Sequence, residues 1–175
     1  MAKAERKTPW MAALVLAAIV FAADQAIKWV LLTEVRLQSI RHAMGIEILP
    51  FFDLRYVENR GISMGFLTAD TPLARWALVA MTLGIVVGIL FWLRREERRP
   101  DALALGAVLG GALGNILDRA RLGFVFDYAD FHLGAWRPFL VFNVADAAIT
   151  VGVAVLLVRA IFVRDKEPES ENADA

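Results

Sequence analysis

Four stretches of the chain stay apolar for long enough to cross a bilayer, and polar residues interrupt them at few places. They are residues 10–32, 73–93, 102–117 and 139–162. About 20 helical residues span a hydrocarbon layer of ~30 Å. Each run is therefore predicted to be a transmembrane helix, the third shorter and glycine-rich. The first run could also be read as a cleavable leader, because Lys3, Arg6 and Lys7 precede it. Against that, Phe21 spoils a small-x-small cleavage site before Ala23, and apolar character resumes past Asp24 and Gln25 as far as Leu32. Between the first two runs, Phe52, Leu54 and Tyr56 alternate with Asp53, Arg55 and Val57. That period of two predicts a half-buried strand starting near Pro50, and with it a small sheet. The expected fold is an all-α membrane protein with a small β element: four transmembrane helices plus a small extracytoplasmic sheet. Residues 1–164 form one membrane domain that includes the outer loop 33–72, and 165–175 form a polar, acidic, disordered tail.

The basic residues orient these spans, because cytoplasmic loops carry an excess of Lys and Arg. Lys3, Arg6 and Lys7 precede the first span, four Arg fill residues 94–99, and Arg159, Arg164 and Lys166 open the C-terminal tail. Residues 33–72 spread only Arg36, Arg41, Arg55 and Arg60 over a much longer loop. Both termini and the 94–100 turn are expected in the cytoplasm, with loops 33–72 and 118–138 outside.

Composition agrees with a membrane protein, since 58% of residues are hydrophobic against roughly 45–50% in soluble domains. Lys+Arg and Asp+Glu are equal at 19 each, so no overall basic field attracts nucleic acid. The absence of Cys excludes disulfides, thiolate metal sites and a cysteine nucleophile. His42 and His132 lack ligand-like spacing, which argues against zinc. Gly106, Gly110 and Gly114 recur every four residues, a face that lets a neighbouring helix approach closely. Asp101, after Pro100, is expected to cap the third helix.

The informative residues are the polar ones at the spans. A charge at mid-bilayer costs at least about 2.5–3.5 kcal/mol, so it normally faces protein. Asp24 and Lys28 are spaced to form an i,i+4 ion pair, and a role in a site is compatible with that. Asn115, Asp118 and Arg119 share one face of the third helix, with Asp118 expected to pair with Arg119 or Arg121. Asn143, Asp146 and Thr150 form one polar stripe on the fourth. Asp146 lies seven residues past Phe139, about 10 Å along a helix at 1.5 Å per residue, with no basic residue nearby in sequence. Asp127 sits in the outer loop, where a solvated Asp is the default and Asp130 is an equal candidate. With the orientation above, all these groups collect just beneath the outer surface. A proton pathway or small transporter, the alternative reading, would spread them through the full thickness, but the opposite halves read Ala-Ala-Leu-Val-Leu and Val-Ala-Val-Leu-Leu-Val. A membrane scaffold would give no reason for the common depth.

Carboxylates are the chemistry that remains. Ser39, Ser63 and Ser170 have no His and acid in a recognisable motif. Two adjacent Asp cannot both ionise cheaply, so one keeps its proton. The ionised one can deprotonate water while the neutral one polarises a carbonyl, which is amide hydrolysis without a covalent intermediate.

Five blocks carry a resemblance. Gly110-Gly111-Ala112-Leu113-Gly114-Asn115-Ile116-Leu117-Asp118-Arg119 resembles the GGAxGNxxDR signature of bacterial lipoprotein signal peptidase (signal peptidase II). Asp24-Gln25-x-x-Lys28 resembles that family's first-helix motif, and Asn59-Arg60-Gly61 through Gly65-Phe66 its NxGxxxxF block. Val125-Phe126-Asp127-Tyr128 resembles VxD[FY], and Phe142-Asn143-Val144-Ala145-Asp146-Ala147-Ala148-Ile149 resembles FNxADxxI. Ile62-Ser63-Met64 departs from the small and aromatic residues expected after the NxG. The resemblance implies Asp127 and Asp146 as the catalytic pair. It implies Asp24, Lys28, Asn59, Gly61, Asn115, Asp118, Arg119, Asn143 and Ala145 as substrate-binding or site-shaping residues. It further implies no metal and no cofactor, and no particular oligomer. The substrate it implies is a lipid-modified prolipoprotein, cut before a diacylglyceryl-modified Cys among the lipids of the bacterial cytoplasmic (inner) membrane, with the site toward the outer face.

Overall fold

The computed structural model describes residues 9–40, 45–62, 67–68 and 71–162. Helix α1 spans Trp10–Thr33, α2 Pro72–Arg95, α3 Arg99–Arg121 and α4 Val144–Phe162. All four are long and apolar enough to cross a membrane. Strands β1 (Ile46–Leu49), β2 (Phe52–Asn59) and β5 (Val125–Phe131) form an antiparallel sheet in the order β1-β2-β5. Strands β3 (Gly61–Ile62) and β4 (Leu67–Thr68) pair separately. The acidic tail, His42 and the Gly65-Phe66 end of the NxGxxxxF block lie outside the described residues.

Helix α3 is the centre of the bundle and far more buried than the other three. Its small residues explain why. A Cβ on Gly106 or Gly110 would run into the Ala13 or Ala17 backbone of α1. One on Gly111 would overlap the Ala145 carbonyl of α4. Backbones that close gain dispersion contacts a larger side chain would prevent. Ala13 and Ala17 accordingly join Leu105, Leu109, Val86, Ile89 and Leu93 in one buried cluster. Gly111→Ala is expected to destabilise the folded protein by about 1–3 kcal/mol, the usual range for overpacking. Gly84→Ala on α2, where a Cβ meets nothing within 4 Å, should not lower the midpoint. Thermal unfolding in detergent compares the two.

A second apolar cluster seats the sheet on the end of the bundle where α1 and α3 finish and α4 begins. Phe126, Tyr128 and Ala129 of β5 meet Leu31, Leu37 and the half-buried Phe52, Leu54, Tyr56, Phe142 and Val144. The alternating residues 52–57 are thus a strand as predicted, and it runs on to Asn59 with a register shift between Leu54 and Val57. Pro50 sits in the tight turn from Leu49 to its partner Phe52.

Two expectations need correction. The fourth helix starts at Val144, not 139, because Phe142 pairs with Ala129 as an isolated bridge. Its N–H and carbonyl exchange bonds of 3.0 and 2.8 Å with Ala129, and Asn143 then caps the helix. Asp146 therefore lies in the first helical turn, not two turns in. Asp101 is not the cap of α3; Arg98 holds that position without a side-chain bond. Asp101 instead makes a two-pronged ion pair with Arg159 of α4 at the far end of the bundle.

Candidate active site

Asp127 comes from β5 and Asp146 from the first turn of α4, and Asn143 joins them. The Asn143 Oδ1 accepts the Asp146 N–H at 2.8 Å, and its Nδ2 donates to Asp127 Oδ1 at 2.6 Å. Asp146 Oδ2 accepts the Asn143 N–H in return at 3.4 Å. This is a reciprocal capping box built from Asn and Asp. One side chain thus caps the helix through its oxygen and holds the Asp127 carboxylate through its nitrogen, which an amide can do at once, while the backbone N–H of the same residue meets the Asp146 carboxylate. Asn115 of α3 donates to Asp146 Oδ1 at 2.8 Å. Asn59, at the end of β2, donates to Asp127 Oδ2 at 3.0 Å, while its own Oδ1 accepts the Gly61 N–H at 3.2 Å.

The two carboxylates differ in surroundings. Asp127 is only 2% exposed, whereas Asp146 is half-buried and faces a cavity. Burial pushes the Asp127 carboxyl up to about 7, and repulsion from Asp146 adds to it, against the donors on Asn59 and Asn143 and the charge of Lys28. Arg119 is half-buried and lies within electrostatic reach of Asp146, Asp127 and Asp118. Its Nε has no hydrogen-bond partner among the described residues.

Beside this pair stands a buried ionic network that holds its carriers. Lys28 Nζ lies 2.8 Å from Asp24 and 2.7 Å from Asp118. Asp24 Oδ1 accepts the Ala145 N–H of α4 at 3.0 Å, an anion at a helix N-terminus. Asp118 Oδ2 accepts the Phe126 N–H of β5 at 3.2 Å. Gln25 donates to both acids, at 3.1 and 3.0 Å. The Asp24–Lys28 pair is therefore real, but Asp118 pairs with Lys28 and not with Arg119 or Arg121. The glycine contacts of α3 bring α1 close enough for Lys28 to reach it. Arg119, ~100° further round the helix, turns toward the Asp127–Asp146 side.

Asp127 and Asp130 lie three residues apart on one strand and so face opposite ways. Asp130 is fully buried on the other side, with Arg55 Nε at 2.7 Å and Arg137 Nε at 3.0 Å. Asp53 and His132 stand beside them, 3.2 Å apart. Sequence reading missed this second charged cluster, because its members come from β2, β5 and the following loop. Gln25 was also missed as a site residue, although it stands inside the quoted Asp24–Lys28 motif. Thr150, one turn past Asp146, is exposed and lines the same cavity, whereas Asn143 is buried. Among the described residues, no group of three or more His, Asp or Glu is arranged to hold a metal ion.

The sequence blocks thus converge on one end of the bundle, around two linked carboxylates. The model of the signal peptidase (SPase) II family matches residues 16–162. The chain belongs to the signal peptidase II family. A lipoprotein signal peptidase of Rhizorhabdus wittichii is 55% identical over 159 residues, covering 91% of each chain. One from Sphingopyxis alaskensis is 43% identical over 158 residues, 90% of each. A solved structure described as a bacterial membrane enzyme at 2.3 Å superposes with a TM-score of 0.74, over 90% of this chain and 93% of the other. At 22% identity that likeness establishes the shared fold. This family member is accordingly a membrane-embedded peptidase, and the resemblance on its five blocks is borne out at the level of family.

Proposed function

We propose that this protein is an aspartic endopeptidase that removes the signal peptide of prolipoproteins, cutting before a diacylglyceryl-modified Cys. Asp127 and Asp146 are its catalytic pair. The observation that carries the reading is Asn143, whose side-chain amide donates to the Asp127 carboxylate and whose backbone N–H meets the Asp146 carboxylate, at one end of a membrane bundle. The relatives' activity as lipoprotein signal peptidases supports the substrate class. The distribution of Lys and Arg supports cytoplasmic termini, and with them a site under the outer face of the cytoplasmic membrane.

In this mechanism Asp146, ionised and bordering the cavity, takes a proton from water. The water oxygen attacks the scissile carbonyl carbon, and neutral Asp127 gives its proton to the carbonyl oxygen. Collapse of the resulting gem-diol breaks the C–N bond. Asp146 passes its proton to the leaving amine, and Asp127 recovers one from the collapsing hydroxyl. The buried Asp127 suits the neutral role because burial and its neighbour's charge both disfavour its ionisation. Arg119, Asn115 and Asn59 orient the pair, and Asp24, Lys28 and Asp118 fix the elements that carry it.

The direct test adds purified protein to a synthetic diacylated precursor peptide and weighs the products. Two fragments, the second starting at the lipidated Cys, are expected; intact precursor would refute the reading. A pH series adds a sign. A carboxyl raised to about 7 keeps its proton below that pH and loses it above. kcat/KM should therefore fall about tenfold per unit on the alkaline side of roughly 7. The apparent value belongs to the pair and not to one residue.

A further inference from the structure

Arg75 stands in the first turn of α2, beside the glycine that follows α3. It is half-buried, and among the described residues no acid pairs with it. The other half-buried arginines each have one. Arg55 pairs with Asp130 and Arg159 with Asp101, and Arg119 lies within reach of Asp127 and Asp146. Arg75 Nε is buried without a hydrogen-bond partner among the described residues. The first turn of α2 contains no Asp or Glu, and a cation there opposes the helix dipole. The guanidinium is nonetheless held in place. It lies over the Trp76 ring, 5.0 Å from the centroid. A Cβ added to Gly123 would come within 3.3 Å of its Nη1, so the glycine leaves the room it occupies. Stacking covers a face of the guanidinium and leaves its in-plane N–H donors free.

We propose that Arg75 and Trp76 form a binding site for the phosphodiester of a phospholipid, in the leaflet at the sheet end of the bundle. A half-buried cation without a counter-ion loses hydration and gains no ion pair in return. The anions that a membrane supplies at the end of a spanning helix are lipid phosphates. A guanidinium meets such a group with two parallel N–H donors. Tryptophan favours the same headgroup level. Below it, Leu83 and Val87 share a helix face with Trp76 and are exposed, which gives the acyl chains an apolar strip. Helix α2 packs against α3 and makes little contact with α1 or α4, so a lipid clamped at Arg75 steadies its end. The proposal is independent of the catalytic reading, because binding is measured without turnover.

The test titrates the full chain in detergent with dioleoylphosphatidylglycerol and counts bound lipids by native mass spectrometry. The Kd of the tightest-bound lipid should rise about tenfold in Arg75→Met, the scale of one lost charge-assisted contact. Arg75→Lys keeps the charge without the fork and should fall between the two. It also covers the case in which Arg75→Met fails to fold. Dioleoylglycerol, with the same chains and no phosphate, should bind the unmodified protein and Arg75→Met alike. Arg94→Met, exposed at the opposite end of α2, should keep the tightest site. An unchanged Kd in both Arg75 variants overturns the proposal, even if turnover of a precursor drops, since that result assigns the cation to the substrate. Displacement of the lipid by millimolar inorganic phosphate also overturns it, because the site would then serve a free anion.

Discussion

Asp146→Asn and Asp127→Asn each lower turnover of a diacylated precursor by about 10³-fold or more, the scale on which positioned proton-transfer groups act. Asn keeps the shape of Asp but can neither accept nor release the proton that moves in each cycle. Asp146 takes hydrogen bonds from Asn115 Nδ2 and from the Asn143 N–H. An Asn oxygen can keep the first of these. Asp127 accepts from both Asn59 and Asn143. Its amide replacement faces one of those donors with a second donor and loses about 1–2 kcal/mol. Neither change should unfold the protein, so loss of activity with an intact melting transition is the expected pair of results. Turnover within tenfold of the unmodified protein in either variant would remove that residue from the mechanism. Asp130→Asn supplies the contrast. It weakens the pairing with Arg55 and Arg137, so thermal stability falls, yet the molecules that remain folded should still cut.

Lys28→Met carries the largest expected structural effect. Asp24, Lys28 and Asp118 are each no more than 3% exposed, and the ammonium group is shared by both carboxylates. Removing one partner of a buried pair typically costs about 3–5 kcal/mol, because the other charge is left without compensation; here two would be left. The damage should also reach the site. Asp24 holds the Ala145 N–H at the start of α4, and Asp118 holds the Phe126 N–H in β5. Those are the segments that carry Asp146 and Asp127. Low yield of folded protein and reduced turnover are expected together. Asp118→Asn in the Lys28→Met background removes one stranded charge and should recover part of the thermal midpoint, measured in the same detergent. No recovery would mean that the cost comes from lost packing and not from uncompensated charge.

The division between sequence and tertiary structure follows range and periodicity. Long apolar runs are local signals, so the four helices were legible, and so was the strand at 52–57 through its alternation. The five blocks were enough for the family, because each is contiguous and their order is fixed. Strands β1 and β5 left no comparable mark. Residues 125–131 are almost wholly buried, so neither face alternates with solvent. The start of α4 was misread because Phe139, Leu140 and Phe142 are as apolar as the helix they precede, and only pairing with Ala129 tells them apart. Ion-pair partners were the least legible. Sequence offered Arg119 and Arg121 to Asp118, being adjacent. The actual partner, Lys28, is ninety residues away in the chain and arrives because glycines let α1 touch α3. The same holds for Asp127 against Asp130. Spacing made them equals, and only the sheet turned one toward Asn143 and the other toward two arginines. Sequence alone determined which residues are apolar enough for lipid and which motifs the chain carries. Which charges meet was decided by packing, since ion pairing depends on separation in space, and the chain's order does not encode that.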